Sequence, residues 1–130
     1  MTDEPTPGGK VGAYHGPRWL RATLYSRDGL LAAWRGEQAF REEAVAAAVL
    51  IPVAVALPIP LVHRAALVVS VLAVLAVELL NSAVEAVVDR HGEAPHPLAK
   101  RAKDMGSAAV LMTLVGAAVI WAAVLAEWLL

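Results

Sequence analysis

The sequence predicts an all-α membrane protein, with an N-terminal amphipathic surface helix followed by three transmembrane helices. Three observations carry that reading. Hydrophobic residues make up 58% of the 130-residue chain and its mean hydropathy is +0.59, too apolar for an ordinary soluble domain of this size. Residues 44–62, 65–88 and 107–126 form three apolar segments, each close to the roughly 20 residues that cross the hydrocarbon. Charges gather at the ends of these segments, apart from a few carboxylates sunk in the second.

Residues 1–16 are polar and rich in Pro and Gly. They lack the apolar stretch of a cleavable signal peptide and read as a disordered tail. A surface helix is expected over about 17–34, with Pro17 suiting a first helical position. Trp19, Leu20, Leu24, Leu30, Leu31 and Trp34 supply its apolar anchors, while Arg18, Arg21, Arg27 and Asp28 stay wet. Charged and apolar residues alternate too quickly here for a span, and Gly29 is a candidate break. Glu37, Arg41, Glu42 and Glu43 then form a charged knot at the mouth of the first span.

The first span, 44–62, contains Pro52, expected to kink it, and Pro58 and Pro60 near its exit. His63 and Arg64 are expected to make a tight turn into the second span, 65–88. A basic loop carrying Arg90, Lys100, Arg101 and Lys103 precedes the third, 107–126. Pro97 can open that last helix with His96 as its cap, aiming backbone N–H groups at an anion. Excess Lys and Arg in the N-terminal region and this loop place both in the cytoplasm and the C-terminus outside. Glu127 beside Trp128 is then an exposed anchor at the outer interface.

The second span holds the candidate chemistry. At about 100° per residue, Glu78, Asn81, Ser82, Glu85 and Asp89 fall within an arc of roughly 100° on one helical face. Carboxylates at such depth are expensive and mark function by default. If Asp89 lies at the cytoplasmic rim, Glu85 is about 6 Å below it and Glu78 about 16 Å below. The shallower acid can meet water, a metal ion and a soluble ligand. The deeper one meets only a group already in the membrane, which suits a proton acceptor. Hard oxygen ligands such as Glu85, with Glu37, suit Mg²⁺. Ion conduction, or structural polar groups holding an oligomer together, explain the same pattern on residues alone. Three helices cannot easily hide such a face from lipid, and the Ala-rich helices favour close packing, so a homo-oligomer is expected.

Some chemistry is excluded. The chain has no cysteine, hence no disulfide or thiolate metal site. Gly8-Gly9-Lys10 lacks the spacing of a phosphate-binding loop, there is no protein-kinase signature or Ser-His-Asp arrangement, and nothing points to nucleic acid. Its four histidines, His15, His63, His91 and His96, are scattered.

Two blocks, Glu78-Leu-Leu-Asn81-Ser-Ala-Val-Glu85-Ala-Val-Val-Asp89-Arg90 and Arg101-Ala-Lys103-Asp104-Met-Gly106-Ser107-Ala-Ala-Val-Leu111, closely resemble the bacterial integral-membrane diacylglycerol kinase family. The segment Leu30-Leu-Ala-Ala-Trp34-Arg-Gly-Glu37-Gln-Ala-Phe-Arg-Glu-Glu43 adds to the likeness, which runs from about Arg18 to the C-terminus.

The resemblance implies that 17–130 is a lipid kinase domain forming a homotrimeric helical bundle in the inner membrane, with composite sites between subunits. It implies transfer of the γ-phosphoryl group of MgATP to diacylglycerol, giving phosphatidic acid; undecaprenol is the alternative acceptor within the same family core. A non-catalytic channel or structural protein is the alternative of another class. On this likeness Glu78 is the catalytic base and Glu37 and Glu85 hold Mg²⁺ on the ATP phosphates. Lys103, Asp104 and the turn Ala94, Pro95, His96 bind nucleotide, and Arg18 and Tyr25 approach ATP or lipid from the surface helix. Asn81 orients Glu78 or the lipid, and Trp34 and Ser107 line the lipid side. One departure is the pair Arg27-Asp28, where relatives carry Trp-Lys.

Overall fold

A computed structural model describes residues 14–92 and 94–130. Most of the expected 1–16 tail therefore lies outside the described residues, as does Glu93. The described chain is all helical: α1 (Arg18–Gly36), α2 (Gln38–Ala56), α3 (Leu61–Asp89) and α4 (Pro97–Leu129). At about 1.5 Å per residue α3 and α4 reach about 44 and 50 Å, beyond the roughly 30 Å of bilayer hydrocarbon. Among the described residues, these two are the helices long and apolar enough to cross a membrane.

Each boundary has a local cause. Pro17 sits just outside α1, as its cap residue. Gly29 does not break α1, which runs through it to Gly36; the flanking Asp28, Leu30 and Leu31 are ordinary helix residues, and one glycine costs only about 1 kcal/mol. Glu37 is extended, with φ −111° and ψ 116°, and makes the corner into α2. Proline 52 lies inside α2 without ending it.

The expected 44–62 span and the His63-Arg64 turn both need correction. Helix α2 stops at Ala56, the turn is 57–60, and His63 and Arg64 belong to the first turns of α3. Proline disfavours helical backbone in the residue before it, so Pro58 and Pro60 fix the turn where they stand. At the other end of α3, Gly92 with φ +107° reverses the chain, a conformation that glycine adopts without steric cost. As expected, His96 caps α4, its ring accepting from the Leu98 N–H at 3.1 Å, with Pro97 at the first helical position. Helix α4 starts well before 107, so Lys100, Arg101 and Lys103 lie on a helix, not in a loop.

Helix α3 is the centre, packed along α4 and α2, while α1 touches α2 and α3 only lightly. In α2 the buried residues Phe40, Ala47 and Ala54 recur every seventh position, the seam of one helix against another. Ala54, Ile59, Leu67 and Val124 close the core at the apolar end, around the 57–60 turn. The opposite end gathers the start of α2, the end of α3 and the start of α4, and with them nearly every charge of interest.

Candidate functional site

Glu78 is the deepest ionisable group at the polar end, 4% exposed in the middle of α3. The charges of Glu85 and Glu37 both bear on it, and its own bears on Glu43. One turn further on, Asn81 Nδ2 donates to Glu85 Oε1 at 3.3 Å. Glu37 reaches this face from the α1–α2 corner. It lines a cavity of about 550 Å³ between α1 and α3 whose other walls include Ser26, Ala33, Leu79 and Ser82. The acids expected to act together, Glu37, Glu78 and Glu85, are thus on one side of α3. None of the three enters an ion pair among the described residues.

This donor set fits a divalent cation of the Mg²⁺ kind. Hard carboxylate oxygens without a cationic partner invite one, and Mg²⁺ is commonly held by one or two carboxylates with phosphates and water completing its shell. Among the described residues, no three His, Asp or Glu lie together closely enough to hold a metal ion by themselves.

A second cluster lies at the α3–α4 connection. Lys103 Nζ pairs with Asp89 Oδ1 at 2.6 Å, joining the start of α4 to the end of α3. Ala94, Pro95, His96 and Lys103 line one cavity of about 740 Å³. Lys100 lines the same space, while the Leu98 N–H at the helix start is taken by His96 Nδ1 and the Lys100 N–H by the His96 carbonyl. Asp104 is on the same turn but is tied to Lys100.

The remaining expected residues are not brought in. Arg18 and Tyr25 are exposed on α1, and the Tyr25 hydroxyl accepts from the Tyr14 N–H at 3.2 Å. Trp34 is 45% exposed, and Ser107 is exposed on α4.

Two features escaped sequence reading. Glu43 Oε2 is buried with no hydrogen-bond partner among the described residues, at the edge of an apolar cavity of about 350 Å³ shared with Val74 and Trp121. Its position three after Phe40 and four before Ala47 puts it on the buried seam of α2, a signal available from periodicity. The other is the approach of Asn81 to Gly106, whose added Cβ would lie 2.1 Å from Asn81 Oδ1. Sequence marks Gly106 as small enough for a ligand or helix to come close, but not that the close group is Asn81 on another helix.

Residues 24–125 match the prokaryotic diacylglycerol kinase family. The chain is 52% identical over 108 residues to the diacylglycerol kinase of Pseudomonas aeruginosa, covering 83% of this chain and 88% of that protein. It is 49% identical over 104 residues to the diacylglycerol kinase of Escherichia coli K12, covering 80% and 85%. The diacylglycerol kinase of Helicobacter pylori 26695 is 41% identical over 104 residues, covering 80% and 81%.

Proposed function

This chain belongs to the prokaryotic diacylglycerol kinase family, and on that premise we propose how its residues divide the work of phosphorylating a membrane lipid. It is a membrane enzyme that phosphorylates diacylglycerol to phosphatidic acid using ATP. The observation that carries the division of labour is the buried Glu78 with Glu85 and Glu37 on the same side of α3.

Glu78 is the general base. Its carboxylate takes the proton of the lipid hydroxyl as that oxygen attacks the γ-phosphorus of ATP; the bond from the γ-phosphorus to the bridging oxygen breaks, and ADP leaves. Glu85 and Glu37 would hold Mg²⁺, which would neutralise charge on the phosphates when bound. Asn81 holds the Glu85 carboxylate in place through its amide. Lys103, guided by Asp89, supplies cationic charge beside the phosphates, with Asp104 and the Ala94, Pro95, His96 turn framing the nucleotide. Arg18 and Tyr25 approach from α1, while Trp34 and Ser107 line the lipid path. Little covalent help is needed, since phosphoryl transfer depends mainly on positioning and electrostatics.

The depth difference between the acids supports the pairing of a lipid alcohol with a water-soluble donor at the bilayer boundary. Helix α2 acts as the third span, the polar end faces the cytoplasm and the membrane is the bacterial inner one; the cytoplasmic excess of Lys and Arg supports this orientation. Three copies form the working unit, with α1 lying on the membrane surface.

The test is lipid phosphorylation in mixed micelles containing diacylglycerol and MgATP. Glu78→Gln is expected to lose at least about 100-fold in kcat with helix content retained, and omission of divalent metal is expected to abolish turnover. A Glu78→Gln enzyme at full speed would overturn the assignment of the base.

A further inference from the structure

We propose that Gly106 is a positioning residue for the metal-holding carboxylate, acting through Asn81: having no side chain, it lets α4 lie against the Asn81 amide and keeps that amide turned toward Glu85. A Cβ built on Gly106 would stand 2.1 Å from Asn81 Oδ1 and 3.2 Å from its Cγ, far inside contact distance. The same amide donates through Nδ2 to Glu85 Oε1 at 3.3 Å. Asn81 Oδ1 is buried and accepts no hydrogen bond among the described residues, so the bond to Glu85 on one side and the free space above Gly106 on the other account for where the amide points.

Backbone conformation does not explain the glycine. Gly106 lies within α4 and is not among the residues with positive φ, and alanine is the better helix former there. The other helical glycines, Gly29, Gly36 and Gly116, have nothing within 4 Å of an added Cβ. Crowding is thus specific to position 106. Because the crowded atom ends a flexible side chain, the Asn81 amide, not the helix, would give way, and Glu85 would lose its donor.

This inference rests on Glu85 holding the metal, and the experiment separates the two. Mn²⁺ binding is measured by electron paramagnetic resonance on the full-length protein in micelles with a non-hydrolysable ATP analogue, beside the kinetic dependence on Mg²⁺. Gly106→Ala is expected to weaken Mn²⁺ about 10- to 100-fold, the loss usual when the partner of a metal ligand is removed, and to raise the Mg²⁺ requirement with helix content unchanged. In an Asn81→Ala background the same change is expected to have no further effect on Mn²⁺, since the amide it displaces is gone. Gly116→Ala serves as the control for helix propensity and is expected to bind Mn²⁺ like the parent.

If Glu85→Gln weakens Mn²⁺ and Gly106→Ala does not, the positioning role is wrong while the metal assignment stands. If Glu85→Gln leaves Mn²⁺ binding intact, both fall. Should Gly106→Ala fail to fold, the double variant with Asn81→Ala is expected to recover folding; failure to recover would place the clash elsewhere and overturn the proposal.

Discussion

Glu78, proposed above as the base, illustrates how a side chain can be kept at a cost to the fold. It is 4% exposed, and no hydrogen bond or ion pair to it is found among the described residues. A buried charged group without a partner destabilises, and exchange for a neutral group of similar shape commonly relieves that. Glu78→Gln is therefore expected to raise thermal stability by about 1 kcal/mol while activity collapses, a combination that thermal unfolding and the micelle assay read together. The ion pair of Lys103 with Asp89 behaves oppositely. Both side chains are substantially exposed, 41% and 64%, so the pair contributes at most about 1 kcal/mol to stability. Asp89→Asn is expected to leave the unfolding temperature nearly unchanged but to raise KM for ATP several-fold, because Lys103 loses the partner that aims it. An unchanged KM would show that the pair serves only to tie α3 to α4.

At the scale of elements, α1 carries a polar and aromatic cluster on its exposed face. The Tyr14 hydroxyl donates to Asp28, Arg27 pairs with the same carboxylate at 3.1 Å, and the rings of Tyr14 and Tyr25 meet edge to face at 5.2 Å. The 14–16 end of the expected tail is therefore laid on α1. The hydrogen bond from Tyr14 holds Asp28 below its ordinary value of 3.8. A depressed carboxylate pKa stabilises the contact above the unfolded value and loses that stabilisation as pH falls through the folded one. The Tyr14–Tyr25 contact, followed by aromatic NMR shifts, is expected to persist from neutral pH down to about pH 4 and to dissolve below it. Asp28→Asn is expected to remove that pH dependence.

The cap at the other helix start makes a comparable prediction. His96→Ala is expected to loosen the first turn of α4 by about 0.5–1 kcal/mol, seen as faster amide exchange at Leu98. His96→Asn is expected to restore it. Amide exchange unaffected by either change would mean that Pro97 alone sets the start.

For the whole molecule, what matters is how little of its apolar surface the single chain covers. Leu61, Leu80, Met105 and Met112 remain 74%, 66%, 66% and 75% exposed. Apolar surface on that scale needs lipid or a further protein chain against it. Lipid covers the outward faces without difficulty, but Asn81, Ser82 and Glu85 are only half-buried on α3, polar groups that an apolar surrounding does not satisfy. The association of three copies proposed above would remove that conflict. Cross-linking in native membranes, or native mass spectrometry from micelles, is expected to find three chains, with kinase activity lost on dissociation; a fully active single chain would contradict it.

The sequence by itself determined that the chain is helical, that it is apolar enough for a membrane, that Glu78, Asn81, Glu85 and Asp89 share a face, and that His96 and Pro97 open α4. Each of these depends on local periodicity, capping or composition, which a linear string records. The 57–60 turn was displaced to His63 and Arg64 because hydropathy does not fall where the helix stops; the local cue was proline geometry at Pro58 and Pro60. The buried place of Glu43, the link from Lys103 to Asp89 and the space above Gly106 were decided only by tertiary structure. They depend on which residues of α2 and α4 come to rest against α3, and that register is set by packing between segments far apart in the chain.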